Sequence, residues 1–302
     1  MERRLILVAA AMVVMPAAGQ MNNLTREEMI RYTAPNPYER FPDGRPKVPD
    51  ALLEKLAEMS SEEFLGVGER GSVHYVDGFQ VLTPGKRLIG RAFTLQLMPF
   101  RAEAADASAE AWKQQGHKLP LRHQTAIDLL QRGDVLVVDA GGDTGAGGII
   151  GNNLSYYIWK KTGTGFVIDG AIRDLEDIAP YGMPGYFRAA VPPAIRGLMV
   201  TGINVPVRIG KATVMPGDVV FGDREGVTFI PPHQLQRFID SGEITRIKDE
   251  WTRKKFDEGK YISSDIYGRP HDPALIQEYE EYLKQRLGAE AYAAYKKRQG
   301  ER

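Results

Sequence analysis

The sequence predicts an α/β fold with an added C-terminal helical tail. Three observations carry that prediction. Residues 133–170 read as strand, helix and strand, one βαβ unit. Residues 205–230 hold four short apolar runs separated by Gly, Pro and Asp, a pattern of short antiparallel strands. A long charged amphipathic stretch follows at 234–256, and a second helical stretch near 273–298.

The elements follow in order. Arg3 and Arg4 precede an apolar run, Leu5 to Met15, and then Pro16, Ala17, Ala18 and Gly19. That order predicts a secretory signal peptide over 1–19, cleaved before Gln20, and an exported protein, periplasmic or secreted. The run is short for a membrane span, so none is expected. Residues 20–47 are polar and predict an extension wrapping the surface, with one short helix near Thr25–Arg31. Apolar residues at Leu52, Leu53, Leu56, Met59 and Phe64 fall at helical spacing and predict a helix over 50–64. Leu88 to Leu97 predicts a strand that Pro99 ends. Thr125 to Leu130 predicts a helix. Val135–Val138 and Gly165–Asp169 are continuous apolar runs of the kind found in parallel strands buried on both faces, with a helix between them at Leu154–Lys161. The main domain is expected to span 48–268, including its long helix, with the helical tail at 269–302.

Composition narrows the function classes. Of 302 residues, 43% are hydrophobic, enough for a sizeable core. Lys+Arg and Asp+Glu both number 39, so no net positive charge argues for a nucleic-acid partner. There is no cysteine, which excludes disulfides and a lipid-modified cysteine.

The stretch from Asp139 to Asp174 holds the chemistry. It leaves a strand, runs through Gly141, Gly142, Gly145, Gly147, Gly148 and Gly151, and enters a helix. Glycines let backbone approach an anion, and a helix N-terminus offers unpaired N–H groups near Gly151–Leu154. The next strand delivers Arg173 and Asp174. Two neighbouring loops should therefore converge at the carboxyl ends of parallel strands, where α/β sheets bind ligands. Arg173 offers a fork for a carboxylate, and Asp174 a hard oxygen for Mg2+ or Mn2+. A second reading of the same pair is a solvated turn with Arg173 paired to a local acid. The glycine spacing does not match a dinucleotide fingerprint, and no Gly-Lys-Ser/Thr phosphate loop or Gly-x-Ser-x-Gly elbow occurs. The histidines His74, His117, His123, His233 and His271 show no metal-ligand spacing. Tyr156, Tyr157 and Trp159 read as core or interface.

Gly133 to Asp139, the glycines that follow, and Gly165-Phe166-Val167-Ile168-Asp169-Gly170-Ala171-Ile172-Arg173-Asp174 resemble the RraA-like family. Pro206-Val207 through Gly210, Pro216-Gly217-Asp218, Gly222-Asp223, Glu225-Gly226-Val227 and Pro231 are similar to its second half. The resemblance implies an α/β/β sandwich of the swivelling-domain type, assembled as a homotrimer or homohexamer. Members include aldolases that cleave 4-hydroxy-4-methyl-2-oxoglutarate and 4-carboxy-4-hydroxy-2-oxoadipate, some also decarboxylating oxaloacetate. Others are regulators that bind ribonuclease E, an intracellular partner that an exported chain would not meet.

By that resemblance Arg173 holds the substrate carboxylate and developing enolate, and Asp174 binds Mg2+ or Mn2+. The backbone of Gly151, Asn152, Asn153 and Leu154 surrounds the pyruvyl group. The aldolases also use an acid from a neighbouring subunit's C-terminal helix, a place that Asp249 or Glu250 would fill. One position departs from the pattern. The aldolases carry Asp, then twenty residues, then Arg-Asp; here Asn152 stands in place of that Asp. Asn can hydrogen-bond a metal-bound water but brings no charge and cannot act as a base. The expected catalytic residues are thus Arg173, Asn152 and Glu250. The expected activity is a metal-dependent lyase acting on a 2-oxo acid through an enolate. The alternatives are a non-catalytic binding module on the same scaffold and a sugar-acid dehydratase.

Overall fold

A computed structural model describes residues 23–268 and 270–300 of the chain. The expected signal peptide, 1–19, lies outside the described residues. Helix α1 (Arg26–Tyr32) starts with a capping box in which Thr25 and Glu28 satisfy each other's backbone N–H. The extension after it is not merely a surface wrap. Met29 is buried, and so is the whole side chain of Arg45, whose guanidinium forks onto buried Asp134 at 3.0 and 3.3 Å. Polar composition conceals this because the buried one of its two compensating acids, Asp134, lies far along the chain, while Asp43 stands beside it. The helix expected over 50–64 is also broken. It becomes α2 (Asp50–Glu54) and two 3-10 turns, Lys55–Glu58 and Glu62–Phe64. The cause sits at Ser61, whose backbone N–H and hydroxyl both donate to Asp223, at 2.7 and 2.8 Å. A serine bonded in this way offers its backbone an alternative to the helical ladder.

Strands β1 (Tyr75–Val76) and β2 (Gln80–Val81) are short edges. Strand β3 (Leu88–Pro99) is the longest and ends at its proline. Helices α3 (Ala102–Gln114) and α4 (His123–Ile127) then lead into β4 (Asp134–Asp139), α5 (Asn152–Thr162) and β5 (Phe166–Ile172). A single turn, α6 (Leu175–Ile178), precedes β6 (Gly185–Ala190) and β7 (Leu198–Ile203). The antiparallel region follows as β8 (Val207–Ile209), β9 (Ala212–Val214), β10 (Val219–Gly222) and β11 (Val227–Ile230). Helix α7 (Leu235–Asp257), the turn α8 (Ser263–Ile266), α9 (Pro273–Leu287) and α10 (Ala289–Gly300) complete the chain. The single tail helix expected near 273–298 is two helices, parted at Gly288, where φ is 82°. Among the described residues, no helix is long and apolar enough to cross a membrane.

The main sheet runs β1-β11-β10-β3-β4-β5-β6-β2, with β7 paired to the far half of β3. Strands β3, β4, β5 and β6 are parallel, and the outer strands are antiparallel. Side chains alternate across the parallel strands, as a period of two requires. Leu136 and Val138 of β4, with Phe166 and Ile168 of β5, face one core shared with Trp112, Ile127, Ile158 and Ile178 of the helices. Val135, Val137 and Val167 face the opposite core, shared with Val207, Ile209, Ala212 and Val214 of the β8–β9 hairpin. Helices on one face and a second, small sheet on the other make three layers, the α/β/β arrangement expected. This double covering is why the parallel strands read as unbroken apolar runs rather than as alternation.

Candidate active site

The register that pairs Asp139 with Asp169 sets two acids side by side, Asp139 at the carboxyl end of β4 and Asp169 midway along β5. By the alternation both face the hairpin layer, and both are fully engaged there. Asp139 accepts from the N–H groups of Gly141 and Arg208, at 2.9 and 3.1 Å. Asp169 accepts from Arg188 Nε at 2.6 Å and the Gly210 N–H at 3.1 Å. These acids fasten the hairpin to the sheet.

The glycine-rich loop between β4 and α5 is a packed strap, not an open cradle. Gly142 donates to the Asp169 carbonyl at 3.0 Å, Gly148 to that of Pro193 at 2.8 Å, and Ile149 to that of Ala171 at 2.9 Å. Gly147, Gly148 and Gly151 are required by close approach, whereas Gly141 and Gly142 adopt left-handed backbone with open space around them. A Cβ on Gly147 would lie 2.4 Å from the Ala194 carbonyl oxygen, and one on Gly148 would lie 2.8 Å from Arg173 Cβ. The loop delivers Gly151 as the N-cap of α5, directly against the chain leaving β5.

That chain carries Arg173 and Asp174. Strand β5 runs on to Ile172, past the end expected at Asp169. The Arg173 N–H donates to the Ile150 carbonyl at 3.0 Å, which locks the two loops together. Asp174 then adopts left-handed backbone, φ 62° and ψ 41°. Such a conformation is uncommon for a side chain other than Gly, and Asp and Asn tolerate it best. It turns the Asp174 carboxylate onto α5, where Oδ2 accepts from the Asn152 N–H at 3.0 Å. The fit is tight: a Cβ on Gly151 would lie 2.4 Å from Asp174 Oδ2 and 2.9 Å from Arg173 Nε. The two loops therefore converge as the sequence predicts.

What remains available defines the chemistry. Asp174 Oδ1 lies 3.7 Å from the nearest Arg173 guanidinium nitrogen, too far for a hydrogen bond, with the side chains 27% and 40% exposed. The N–H groups of Asn153 and Leu154 have no acceptor within the described chain. Both sit in the first turn of α5, where the helix dipole favours an anion. A guanidinium and two free amides thus stand beside one carboxylate oxygen. Among the described residues no group of three His, Cys, Asp or Glu side chains is placed to hold a metal. A single carboxylate with open surroundings instead suits Mg2+ or Mn2+, which keep several waters and take one or two carboxylates.

The remaining side chains divide between those beside the two loops and those on the C-terminal helices. The Asn152 side chain accepts, through Oδ1, a hydrogen bond from the Tyr181 hydroxyl. Sequence reasoning missed Tyr181; the only local signal is its place before Gly182 in a tight turn. Tyr156 and Trp159 of α5 pack on the Tyr181 ring, 5.3 and 6.1 Å between centroids, forming an aromatic wall beside the loop. Glu250 is placed elsewhere in the chain. It lies on α7 and accepts from Tyr282 and Arg286 of α9, at 2.8 Å each. The Tyr282 hydrogen bond, with Arg286 and Arg246 nearby, holds its carboxyl below the usual range. Asp249 precedes it on the same helix. No hydrogen bond or ion pair among the described residues joins Glu250 to Arg173 or Asp174.

The family model described as RraA-like, Aldolase/RraA, matches residues 50–229 of the 302. The chain belongs to the RraA-like family. A putative 4-hydroxy-4-methyl-2-oxoglutarate aldolase of Halalkalibacterium halodurans is 34% identical over 119 residues, covering 39% of this chain and 56% of that protein. The 4-hydroxy-4-methyl-2-oxoglutarate aldolase of Thermus thermophilus is 30% identical over 99 residues, covering 33% of this chain and 60% of that one. The chain thus spans little more than half the length of these curated relatives. Among solved structures, Streptomyces coelicolor RraAS2, an unusual member of the RNase ES inhibitor RraA protein family, superimposes with a TM-score of 0.59. It is 28% identical, and the match covers 69% of this chain and all of that one. An uncharacterized Pseudomonas syringae protein shares the fold at a TM-score of 0.61 and 19% identity, over 74% of this chain and 94% of that one. The matched RraA-like region contains Gly151, Asn152, Arg173 and Asp174, whereas Glu250 and the α9–α10 tail lie beyond it.

Proposed function

We propose that this RraA-like chain is a Mg2+- or Mn2+-dependent carbon–carbon lyase acting on a 2-oxo acid. The observation that carries the reading is the Arg173 guanidinium and left-handed Asp174 at the N-terminus of α5, beside two amides without acceptors. Arg173 would take the substrate carboxylate as a fork. The Asn153 and Leu154 amides would donate to oxygens where negative charge develops, and they are pre-aimed by the helix. Asp174 would hold the ion through Oδ1, with Oδ2 kept on the Asn152 amide. The bound ion supplies Lewis-acid polarisation of the oxo group.

The side chains favour decarboxylation over aldol cleavage. Aldol cleavage needs a base to take the substrate's hydroxyl proton. Asn152 cannot serve, and Glu250 is held by Tyr282 and Arg286 in its own protomer. Loss of carbon dioxide from a 3-carboxy-2-oxo acid needs only a sink for the electron pair, plus a proton from water afterwards. The test is pyruvate release from oxaloacetate, compared with the same Mg2+ concentration lacking protein. The reading expects acceleration that a chelator abolishes and Mg2+ or Mn2+ restores. A rate no higher than Mg2+ alone gives would overturn it.

Asn152 favours a second reading, a binding module for a carboxylate or sugar acid. Converting Asn152→Asp tests how far the site stands from an aldolase. Under the lyase reading the added carboxylate tightens Mg2+ binding and raises cleavage of 4-hydroxy-4-methyl-2-oxoglutarate; no change in either supports the binding module. The proposal includes export with cleavage before Gln20 and a trimeric or hexameric assembly. An intact Met1 by mass spectrometry, or a monomer by light scattering, would remove those parts.

A further inference from the structure

Tyr181 has a hydroxyl whose direction is fixed by packing. It ends the 3-10 turn Ala179–Tyr181, and Gly182 follows in left-handed backbone with φ 65°, which turns the chain away and leaves the ring against α5. The ring lies near-parallel to Trp159, with planes 14° apart, and is tilted by 59° against Tyr156. Two ring contacts set its plane before any ligand arrives. The hydroxyl donates to Asn152 Oδ1.

The consequence follows from what a carboxamide can do. Its oxygen accepts, and its nitrogen donates two hydrogens and accepts none. With one lone pair of Oδ1 taken by the phenol, the amide plane is set, and the free donor of Asn152 is Nδ2, which has no acceptor among the described residues. The Asn152 N–H is meanwhile committed to Asp174 Oδ2. Held at both ends, Asn152 offers Nδ2 from the same first turn of α5 that carries the Asn153 and Leu154 amides.

We propose that Tyr181 is a positioning residue that fixes Asn152 as a neutral hydrogen-bond donor to an oxygen of the anionic substrate. On this account position 152 is neither a metal ligand nor a base. The inference rests on the 2-oxo acid reading and deepens it. The ligand chemistry is a carboxylate or 2-oxo oxygen, and the donor at 152 selects for it without adding charge.

The test is calorimetric titration of pyruvate into the full chain at saturating Mg2+, with Mg2+ affinity measured separately. The variants are Tyr181→Phe, Asn152→Ala and the double change; Tyr181→Phe keeps the ring and loses only the hydroxyl. Tyr181→Phe is expected to weaken pyruvate about fivefold, the usual scale of one hydrogen bond, with Mg2+ affinity unchanged. The double variant should bind pyruvate no more weakly than Asn152→Ala alone, because the hydroxyl acts through the carboxamide. Losses that multiply in the double variant, a Tyr181→Phe that matches wild type, or a parallel loss of Mg2+ affinity would each overturn the role given to Tyr181. Wild type that binds neither Mg2+ nor pyruvate would overturn the 2-oxo acid reading and this inference together. Wild type that binds both, with multiplying losses, would overturn this inference alone.

Discussion

Asp139 at the end of β4, Asp169 beside it within β5, and Asp174 just past β5 lie along two central strands yet differ in what they leave free. The first two are buried and give both oxygens to the chain: Asp139 to two backbone amides, Asp169 to one amide and Arg188. Asp174 gives one oxygen to the Asn152 N–H and keeps the other within reach of a ligand. Its backbone is also the one in an uncommon region. The difference teaches that residue type and place along a strand do not mark a site. Unused hydrogen-bonding capacity, held in a fixed direction by local strain, does so better.

Substitutions can break or sharpen that contrast. The largest effect is expected at Asp169. Changing Asp169→Ala takes the carboxylate from the largely buried Arg188, which keeps only the Asp77 carbonyl and the Phe79 ring, and leaves the Gly210 amide without an acceptor, which should cost about 3–5 kcal/mol in denaturant unfolding. A loss under ~1 kcal/mol would show that the Asp169 carboxylate does little to hold the hairpin. Next is Arg173→Lys. It keeps charge but loses the planar fork, so oxaloacetate turnover should fall about a hundredfold, or ~3 kcal/mol, while the melting temperature stays put. Asp139→Ala should fall below Asp169→Ala, at about 1–3 kcal/mol of stability, because only neutral amides lose their acceptor.

A pH dependence is expected at Asp218. Burial pushes its carboxyl from 3.8 up to about 7, with one backbone N–H, that of Met215, opposing the shift. The folded chain then holds this proton to higher pH than the unfolded chain does. Its contribution is fully present below 3.8 and is lost as pH rises through about 7. Melting curves from pH 4 to pH 8 should therefore decline less in Asp218→Asn than in wild type. Equal slopes would assign the decline to other groups.

The sequence makes legible what is local. The β4–α5–β5 unit shows itself because both strands are apolar throughout and the glycines sit between strand and helix. The convergence of Arg173 and Asp174 on Gly151 follows from that topology. Elements with thin apolar content stay hidden. Helix α3 buries only Ser108 and Trp112 among its residues, so it carries no apolar stripe to read. The residues at 52, 53, 56, 59 and 64 do turn inward or partly inward, but Ser61 and Asp223, far apart in sequence, break the helix their spacing implies. Long-range pairing likewise hides Arg45–Asp134, and hides Tyr181, whose partner Asn152 lies 29 positions away. The left-handed backbone of Asp174 has no sequence mark of its own, since the residue is neither Gly nor followed by one.

On this account Asp174, unlike Asp139 and Asp169, is free to bind a divalent ion. Calorimetric titration of Mg2+ or Mn2+ into wild type, Asp174→Asn and Asp169→Asn tests it most directly. Asn tolerates the left-handed backbone and can still accept from the Asn152 N–H, so Asp174→Asn removes charge with little strain. The account predicts ion binding in wild type, its loss in Asp174→Asn at an unchanged melting temperature, and its retention in Asp169→Asn despite a lowered one. Wild type that takes up no ion, or Asp174→Asn that binds as tightly as wild type, would contradict it.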